Sequence, residues 1–171
     1  AILKEAKRRR INTAMETCGF CSWEALESAC ELLDTLLYDV KSMDPEKHRV
    51  FTGVSNELVL ENLERVREAF PGLPVWVRTP IVPGFNDDPE EIRRVLEHIQ
   101  GMPNTWFEAL DYHRMGKPKY EYLGLDFPMG DRKLDEEKIR RIRQMVRSEF
   151  PHLRSPGSAE NGNLPNAASQ R

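Results

Sequence analysis

The sequence predicts an α/β fold built on a parallel β-sheet. Four short apolar runs alternate with longer segments of helical periodicity, and each run ends on polar residues. The segments between the runs are long enough for helical crossovers, which parallel strands require. Because parallel strands present their carboxyl ends at one edge of a sheet, these polar residues are expected to meet there.

The first predicted strand follows the end of an amphipathic helix at residues 1–10. Residues 11–15 alternate apolar and polar side chains before the polar residue Glu16. Ser22 is placed to cap the next helix, whose apolar residues recur at helical spacing. The buried stripe of this helix is predicted to contain Trp23, Leu26, Cys30 and Leu33.

The second predicted strand, residues 36–41, is an apolar run that stops on an acid and a base. Side chains on a strand alternate between the two faces, so Asp39 and Lys41 are expected to share one face. This pair therefore predicts a charged site where the strand leaves the sheet.

A polar connection at 42–53 follows, in which Asp44 and Pro45 suit a short turn of helix. Ser55 or Asn56 is then expected to cap a long helix that ends near Phe70. Its periodicity places the apolar side chains inward and the glutamates and arginines outward.

Two more strands are predicted at 75–82 and 106–110. Pro80 interrupts the first of these and cannot donate to the ladder, so the strand is expected to stop or bulge there. Asp88 caps the helix between the two strands. Its buried stripe is predicted to contain Ile92, Val95, Leu96 and Ile99. A loop at 114–132 and a charged helix at 134–150 complete the pattern.

The predicted organisation is one folded domain at 1–150 and a tail at 151–171. Residues 155–171 are rich in Pro, Gly, Ser, Asn and Ala, a composition typical of disorder. The chain opens on Ala1, without Met and within a helical pattern, so we expect a fragment of a longer protein.

The composition excludes several classes of partner. A formal charge of -3 over 171 residues offers no basic surface for nucleic acid or an anionic membrane. No apolar segment approaches the roughly 20 residues that span a bilayer, and no signal peptide is present. The cytoplasm is the expected compartment.

The four strand ends are expected to converge on one rim and form a site for a polar ligand. Asp39 together with Glu16 could form a general acid/base dyad or a cation site, and the sequence leaves both open. The expected pairs are Glu16 with Thr17, Asp39 with Lys41, Arg78 with Thr79, and Asp111 with His113.

The cysteines and histidines allow two interpretations each. Cys18 and Cys21 have the spacing of half a zinc site or a redox pair, but no second pair completes it, and Cys30 suits a small core position. His113 follows an acid at a strand end, which favours a ligand contact over a structural role. The other histidines, at positions 48, 98 and 152, are expected on the surface.

Six motifs occur in order over about residues 1–147: TAMETCG at 13–19, YDVK at 38–41, TGVSN at 52–56, VWVR at 75–78, VPGFND at 82–87 and YHRMGK at 112–117. In this ordered set the chain resembles the glycyl-radical-enzyme activating enzymes, the pyruvate formate-lyase activating enzyme-like group of the radical S-adenosylmethionine (SAM) superfamily. The resemblance implies that the strands are the last four of a partial (βα)6 radical SAM barrel.

The resemblance also implies a ligand for the rim. Asp39, Val40, Lys41 and His113 would contact SAM, and the residues expected close to it are Glu16, Thr17 and Arg78. No catalytic residue and no metal ligand is implied within the chain. Glu16 stands where the prototype has an aspartate that helps hold a monovalent cation, so a cation here is left open.

The family's Cys-x3-Cys-x2-Cys loop, which binds a [4Fe-4S] cluster, is expected upstream of Ala1. The cysteines present run as Cys-x2-Cys-x8-Cys, so the fragment alone is expected to be inactive. By resemblance, the intact protein uses a 5'-deoxyadenosyl radical to install a glycyl radical on a partner enzyme, with flavodoxin or ferredoxin as reductant. The alternatives are a radical SAM enzyme with another substrate, and a non-catalytic module that binds an adenosyl ligand or a partner.

Overall fold

The computed structural model describes residues 1–154, which form a four-stranded parallel sheet flanked by helices. The strands lie in the order β1-β2-β3-β4, without the reversal of order that defines a doubly wound sheet. This arrangement confirms the predicted α/β class with four parallel strands. The strands are β1 (Ala14–Thr17), β2 (Thr35–Asp39), β3 (Val75–Ile81) and β4 (Thr105–Asp111).

Seven α-helices and one 3₁₀ turn lie in the described residues. Two of the helices differ from the sequence-based expectation, since α3 is longer than a single turn and α6 lies within the predicted loop. The elements are α1 (Ile2–Arg8), α2 (Trp23–Cys30), α3 (Pro45–Thr52), α4 (Glu57–Ala69), α5 (Pro89–Ile99), α6 (Lys117–Tyr122), α7 (Glu136–Glu149) and the 3₁₀ turn η1 (Pro151–Leu153).

Local capping explains why α3 forms. The Asp44 carboxylate accepts hydrogen bonds from the amides of Glu46 at 2.9 Å and Lys47 at 3.0 Å, and Pro45 occupies the first turn. Gly53 ends the helix in the left-handed conformation, with φ of 85°.

One face of the sheet packs against the helices and forms the core. Tyr38 is fully buried there, and its hydroxyl donates to the Val59 carbonyl of α4 at 2.7 Å. Each fully buried aliphatic side chain contributes roughly 1.5–3 kcal/mol. The predicted helix stripes are confirmed except that Trp23 is only partly buried; the buried members are Leu26, Cys30, Leu33, Ile92, Val95, Leu96 and Ile99.

Two polar residues expected on the surface are buried instead. Arg67 of α4 is 5% exposed, because its guanidinium donates to the carbonyls of Leu73, Pro71 and Pro103 in the loops that precede β3 and β4. His48 of α3 is 4% exposed, and its Nδ1 lies 2.7 Å from the Val54 carbonyl. In both cases hydrogen bonds to backbone carbonyls offset part of the cost of burial, although Arg67 Nε has no partner among the described residues.

Strand β3 continues through Pro80, so the expected stop or bulge is wrong. The carbonyls of Pro74 and Arg78 accept from β2, so alternate residues of β3, including Pro80, face the β2 side. Pairing with β2 ends at Arg78, two residues earlier. Because Pro80 has no N–H, it cannot make the next ladder bond, to the Val40 carbonyl, which accepts from Thr79 Oγ1 instead at 2.7 Å.

The described fold extends to η1, where Leu153 is 1% exposed and belongs to the core. The predicted disordered segment, 155–171, lies outside the described residues, so the proposed domain boundary and tail remain predictions. Among residues 1–154, no helix is both long and apolar enough to cross a membrane.

Candidate functional site

The sheet register brings three charged residues side by side. Asp39 of β2 pairs with Arg78 of β3, and Arg78 pairs with Glu108 of β4. Partners in register share one face, here the face opposite the helix-covered core. Two residues earlier on this face, Trp76 and Trp106 are also in register, with ring centroids 5.8 Å apart. The charged row therefore lies nearer the carboxyl edge than the tryptophan pair does.

Two groups of ion pairs lie at this edge, one formed by Asp39 with Lys41 and the other by Arg78 with two glutamates. We call the five side chains the strand-end cluster: Glu16, Asp39, Lys41, Arg78 and Glu108. Lys41 Nζ lies 3.1 Å from Asp39 Oδ2, and an Arg78 guanidinium nitrogen lies 3.1 Å from Glu16 Oε2. Arg78 Nε lies 3.7 Å from Glu108 Oε2. Three carboxylates and two cations give the cluster a formal charge of -1.

Two buried atoms of this cluster, Asp39 Oδ1 and Arg78 Nε, lack a hydrogen-bond partner among the described residues. Asp39 Oδ1 is buried and accepts no hydrogen bond from the described residues, although Oδ2 is paired with Lys41. A buried carboxylate oxygen without a donor carries a desolvation cost that a bound hydrogen-bond donor would remove. The arrangement therefore favours a ligand that brings a donor or a positive charge to Asp39.

The structure brings together four of the eight residues in the expected pairs, and only Asp39 with Lys41 as a complete pair. Thr17, Thr79 and Asp111 lie on the helix-covered side instead, because Thr17 is in register with the core residue Tyr38 and Asp111 with Ile81. Asp111 accordingly pairs with Arg143 of α7 at 2.7 Å, a contact on the opposite side from the cluster. The expected convergence of all four strand ends is therefore wrong for these three side chains.

Val40 and His113 differ in their surroundings. Val40 is 1% exposed, its amide donates to the Arg78 carbonyl at 3.0 Å, and its carbonyl accepts from Thr79 Oγ1 at 2.7 Å. His113 follows β4, is exposed, and has no hydrogen bond or ion pair among residues 1–154. Glu16 and Asp39 are each paired with a cation, and neither is paired with the other.

Sequence reasoning missed Glu108. It lies within β4 rather than at its end. The prediction considered only residues at strand ends and therefore named Asp111. The available signal was the period of two: Trp106, Glu108 and Leu110 share one face of the strand. Only the register with β3 shows that this face meets Arg78.

The cysteines are free thiols, and Cys30 has the predicted core position. Burial raises the pKa of Cys30 to about 11, so the thiol is protonated at neutral pH. Over residues 1–154, no group of three or more His, Cys, Asp or Glu side chains is arranged to hold a metal ion.

Comparison with known proteins gives a consistent group of relatives, although no family model matches the chain. It is 47% identical over 148 residues to the (2S)-3-sulfopropanediol sulfolyase activating enzyme of Bilophila wadsworthia, covering 86% of this chain and 49% of the relative. It is 44% identical over 146 residues to the isethionate sulfite-lyase activating enzyme of Nitratidesulfovibrio vulgaris, covering 85% and 47%. The chain thus spans about half the length of these relatives.

Solved structures show the same fold. A domain of a pyruvate-formate lyase-activating enzyme from Bacteroides vulgatus matches with a TM-score of 0.66 and 28% identity, over 85% of this chain and 81% of that one. Coproporphyrinogen III oxidase (HemN) from Escherichia coli, a radical SAM enzyme, matches with a TM-score of 0.61 and 14% identity, over 89% and 36%. The second likeness concerns the fold alone.

Proposed function

We propose that this chain is part of a glycyl-radical-enzyme activating enzyme of the radical SAM superfamily, and that its strand-end cluster binds SAM within the intact activase. One observation supports the proposal most directly. Asp39 has one carboxylate oxygen paired with Lys41 and the other buried without a donor, at the carboxyl edge of a parallel sheet. Ligands of such folds bind at this edge.

The charges of the cluster suit the amino-acid part of SAM. At neutral pH SAM carries a carboxylate, an ammonium and a sulfonium, so a net charge of +1 meets a cluster of formal charge -1. We assign the ammonium to Asp39 and the carboxylate to Lys41 or Arg78, since charge-assisted hydrogen bonds are the strongest available. We add Glu108 to the residues of the proposed SAM site, because its carboxylate partly neutralises the charge of Arg78.

The remaining expected contacts have narrower roles in this proposal. Val40 is 1% exposed in the core and both its backbone polar groups are already bonded, so in this proposal it supports Asp39 and Lys41 rather than presenting its own side chain to SAM. The Thr17 hydroxyl accepts from the Gly19 amide at 3.0 Å, which gives it a structural use at the end of β1. His113 is exposed beyond β4, where its ring is accessible to a ligand.

The described residues do not fit a [4Fe-4S] cluster. Cys30 is a buried, protonated thiol, and the spacing Cys-x2-Cys-x8-Cys differs from the family's Cys-x3-Cys-x2-Cys loop. In the family, SAM together with that cluster supplies the 5'-deoxyadenosyl radical that takes a hydrogen atom from a glycine of the partner enzyme. We therefore propose that these 171 residues bind SAM without cleaving it, and that activation with its reductant, flavodoxin or ferredoxin, requires the cluster loop.

For the partner we propose a glycyl radical enzyme that cleaves a carbon–sulfur bond. The two relatives above are named for a sulfolyase and a sulfite-lyase, at 47% and 44% identity. Biolayer interferometry with purified isethionate sulfite-lyase and pyruvate formate-lyase is expected to give tighter binding to the sulfite-lyase. Equal or reversed affinities would overturn this choice of partner.

The cytoplasm, where free thiols persist, remains the proposed compartment.

Isothermal titration calorimetry of the 171-residue chain tests SAM binding. Three ligands separate the contributions: SAM, S-adenosylhomocysteine, which lacks the sulfonium charge, and 5'-deoxyadenosine, which lacks the amino acid. We expect the order SAM, then S-adenosylhomocysteine, then 5'-deoxyadenosine, with about tenfold between the first and the last. Equal affinity for all three would assign recognition to the adenosine part and overturn the role of the cluster. No binding of any of them would favour a module that contacts only a protein partner.

A further inference from the structure

Past the end of β2, three consecutive backbone carbonyls each accept a hydrogen bond from a buried side chain of a different element. Thr79 Oγ1 donates to the Val40 carbonyl at 2.7 Å. Asn86 Nδ2 donates to the Lys41 carbonyl at 2.7 Å, and Asn56 Nδ2 donates to the Ser42 carbonyl at 2.8 Å. The three donors are 0%, 1% and 2% exposed respectively.

These three bonds take the place of the hydrogen bonds between β2 and β3, whose pairing ends at Asp39 and Arg78. Beyond Asp39 the chain leaves the sheet, and its carbonyls would be buried without partners unless other groups supplied donors. The donors come from β3, from the loop before α5 and from the residue that precedes α4. The 40–42 backbone is therefore fixed from three directions.

The orientation of Asn86 is itself fixed. Its Oδ1 accepts from the Val82 amide at 2.7 Å, and its Nδ2 donates to the Pro80 carbonyl at 2.9 Å as well as to Lys41. All the hydrogen-bonding capacity of this buried amide except one lone pair is used. Asn86 thus links the end of β3 to the end of β2.

We propose that Thr79, Asn86 and Asn56, here named the carbonyl clamp, are positioning residues for the strand-end cluster. By fixing residues 40–42, the clamp keeps Asp39 and Lys41 in the paired geometry before a ligand arrives, which lowers the ordering cost of binding. The identity of that ligand as SAM rests on the proposed function. The clamp itself is a property of the free chain.

Amide hydrogen–deuterium exchange tests the clamp without any ligand. Thr79→Val removes the hydroxyl with little change of shape, and Thr79→Ser retains it. Arg67→Met is the matched control, because Arg67 is also a buried donor to three carbonyls, but at the opposite end of the sheet. A variant that only destabilises the fold would raise exchange at both ends.

We expect Thr79→Val to raise exchange at residues 40–44 by about tenfold, the effect of one lost buried hydrogen bond. Thr79→Ser should stay near the wild-type rate, and Arg67→Met should raise exchange at 71–75 but not at 40–44. Unchanged exchange at 40–44 in Thr79→Val, or equal increases at both ends, would overturn the clamp.

Calorimetry with SAM then separates positioning from stability. Thr79→Val is expected to weaken SAM binding about tenfold, Thr79→Ser to restore it, and Arg67→Met to leave it unchanged at a temperature where all variants are folded. Raised exchange in Thr79→Val with unchanged SAM affinity would overturn the positioning role. If the wild-type chain binds no SAM, the proposed function fails, while the exchange data still decide whether the clamp exists.

Discussion

Arg78 on β3 lies 3.1 Å from Glu16 on β1, so their ion pair crosses the face of β2, which separates the two strands. The same guanidinium lies 3.7 Å from Glu108 on β4. One side chain therefore links three strands at the edge where the ligand site is proposed. Arg78 is only 16% exposed, so water screens its charge less than it screens that of Glu16, which is 57% exposed.

Glu16→Gln is expected to cost less than about 1 kcal/mol of unfolding free energy, because a pair with one largely exposed partner gains little net energy. Urea denaturation at low salt and in 0.5 M NaCl checks this. The small loss should shrink further at high salt, where exposed pairs are screened. A loss above about 2 kcal/mol would show that this pair is a major support of the sheet.

Asp39→Asn is expected to weaken SAM binding by tenfold to about a hundredfold, since a hydrogen bond to a charged group contributes about 1.5–3 kcal/mol. Asp111→Asn is the matched control: it also lies at the end of a strand, but on the helix-covered side beside Arg143. Calorimetry should show wild-type affinity for this control. Equal losses in both variants would remove the assignment of the site to one face.

Gly19→Ala is expected to destabilise the chain by at least about 3 kcal/mol, from backbone strain and overpacking together. The backbone of Gly19 has φ of 67°, and a Cβ there would lie 1.7 Å from the buried Tyr38 hydroxyl. Gly53→Ala isolates the backbone effect, because φ is 85° but no atom of a residue other than its chain neighbours lies within 4 Å of its Cβ position. Thermal or urea unfolding of this control should show a loss of only about 1 kcal/mol.

Asp34 is expected to make stability sensitive to acid. The hydrogen bond from the Thr13 amide, at 2.8 Å, holds the pKa of this carboxyl below its usual value, with smaller contributions from the Thr13 hydroxyl and from Lys7. A pKa lowered by folding stabilises the fold above the unfolded-state value of about 3.9, and this contribution is lost as the pH falls through the folded-state pKa.

Denaturation of the wild type and Asp34→Asn at several values of pH measures this effect. The wild type should be the more stable at about pH 5, and the difference should narrow as the pH falls below about 4. Asp126→Asn, at an exposed site without ion pairs among the described residues, is the control for removing a surface carboxylate. A difference for Asp34→Asn that widens in acid would contradict the assignment.

Much of the fold was predictable because helix caps, buried helix stripes and strand alternation each depend on residues close together in the sequence. The caps at Ser22 and Asp88, and the buried stripe of α5, depend on residues within one or two turns. The Asp39–Lys41 pair was predictable for the same reason, since alternation along one strand places both side chains on the same face.

The rest depends on contacts between distant segments. Which face Asp111 presents follows from its register with Ile81, and the role of Glu108 follows from its register with Arg78. Arg67 is buried only because three carbonyls from other loops surround its guanidinium. Its spacing from Val59 and Leu63 does place Arg67 on the buried stripe of α4, whereas Arg65 lies off that stripe and over the Trp23 ring at 4.4 Å.

The tryptophan pair described beside the strand-end cluster provides an intrinsic optical reporter. Trp76 and Trp106 precede Arg78 and Glu108 by two residues on the same face, a displacement of about 6.6 Å along the strands. Indole emission responds to nearby charge and hydration, so a molecule that enters the cluster would alter the fluorescence of these two rings. Occupancy of this edge of the sheet can therefore be followed in the unlabelled chain, with Trp23 on α2 contributing a background signal.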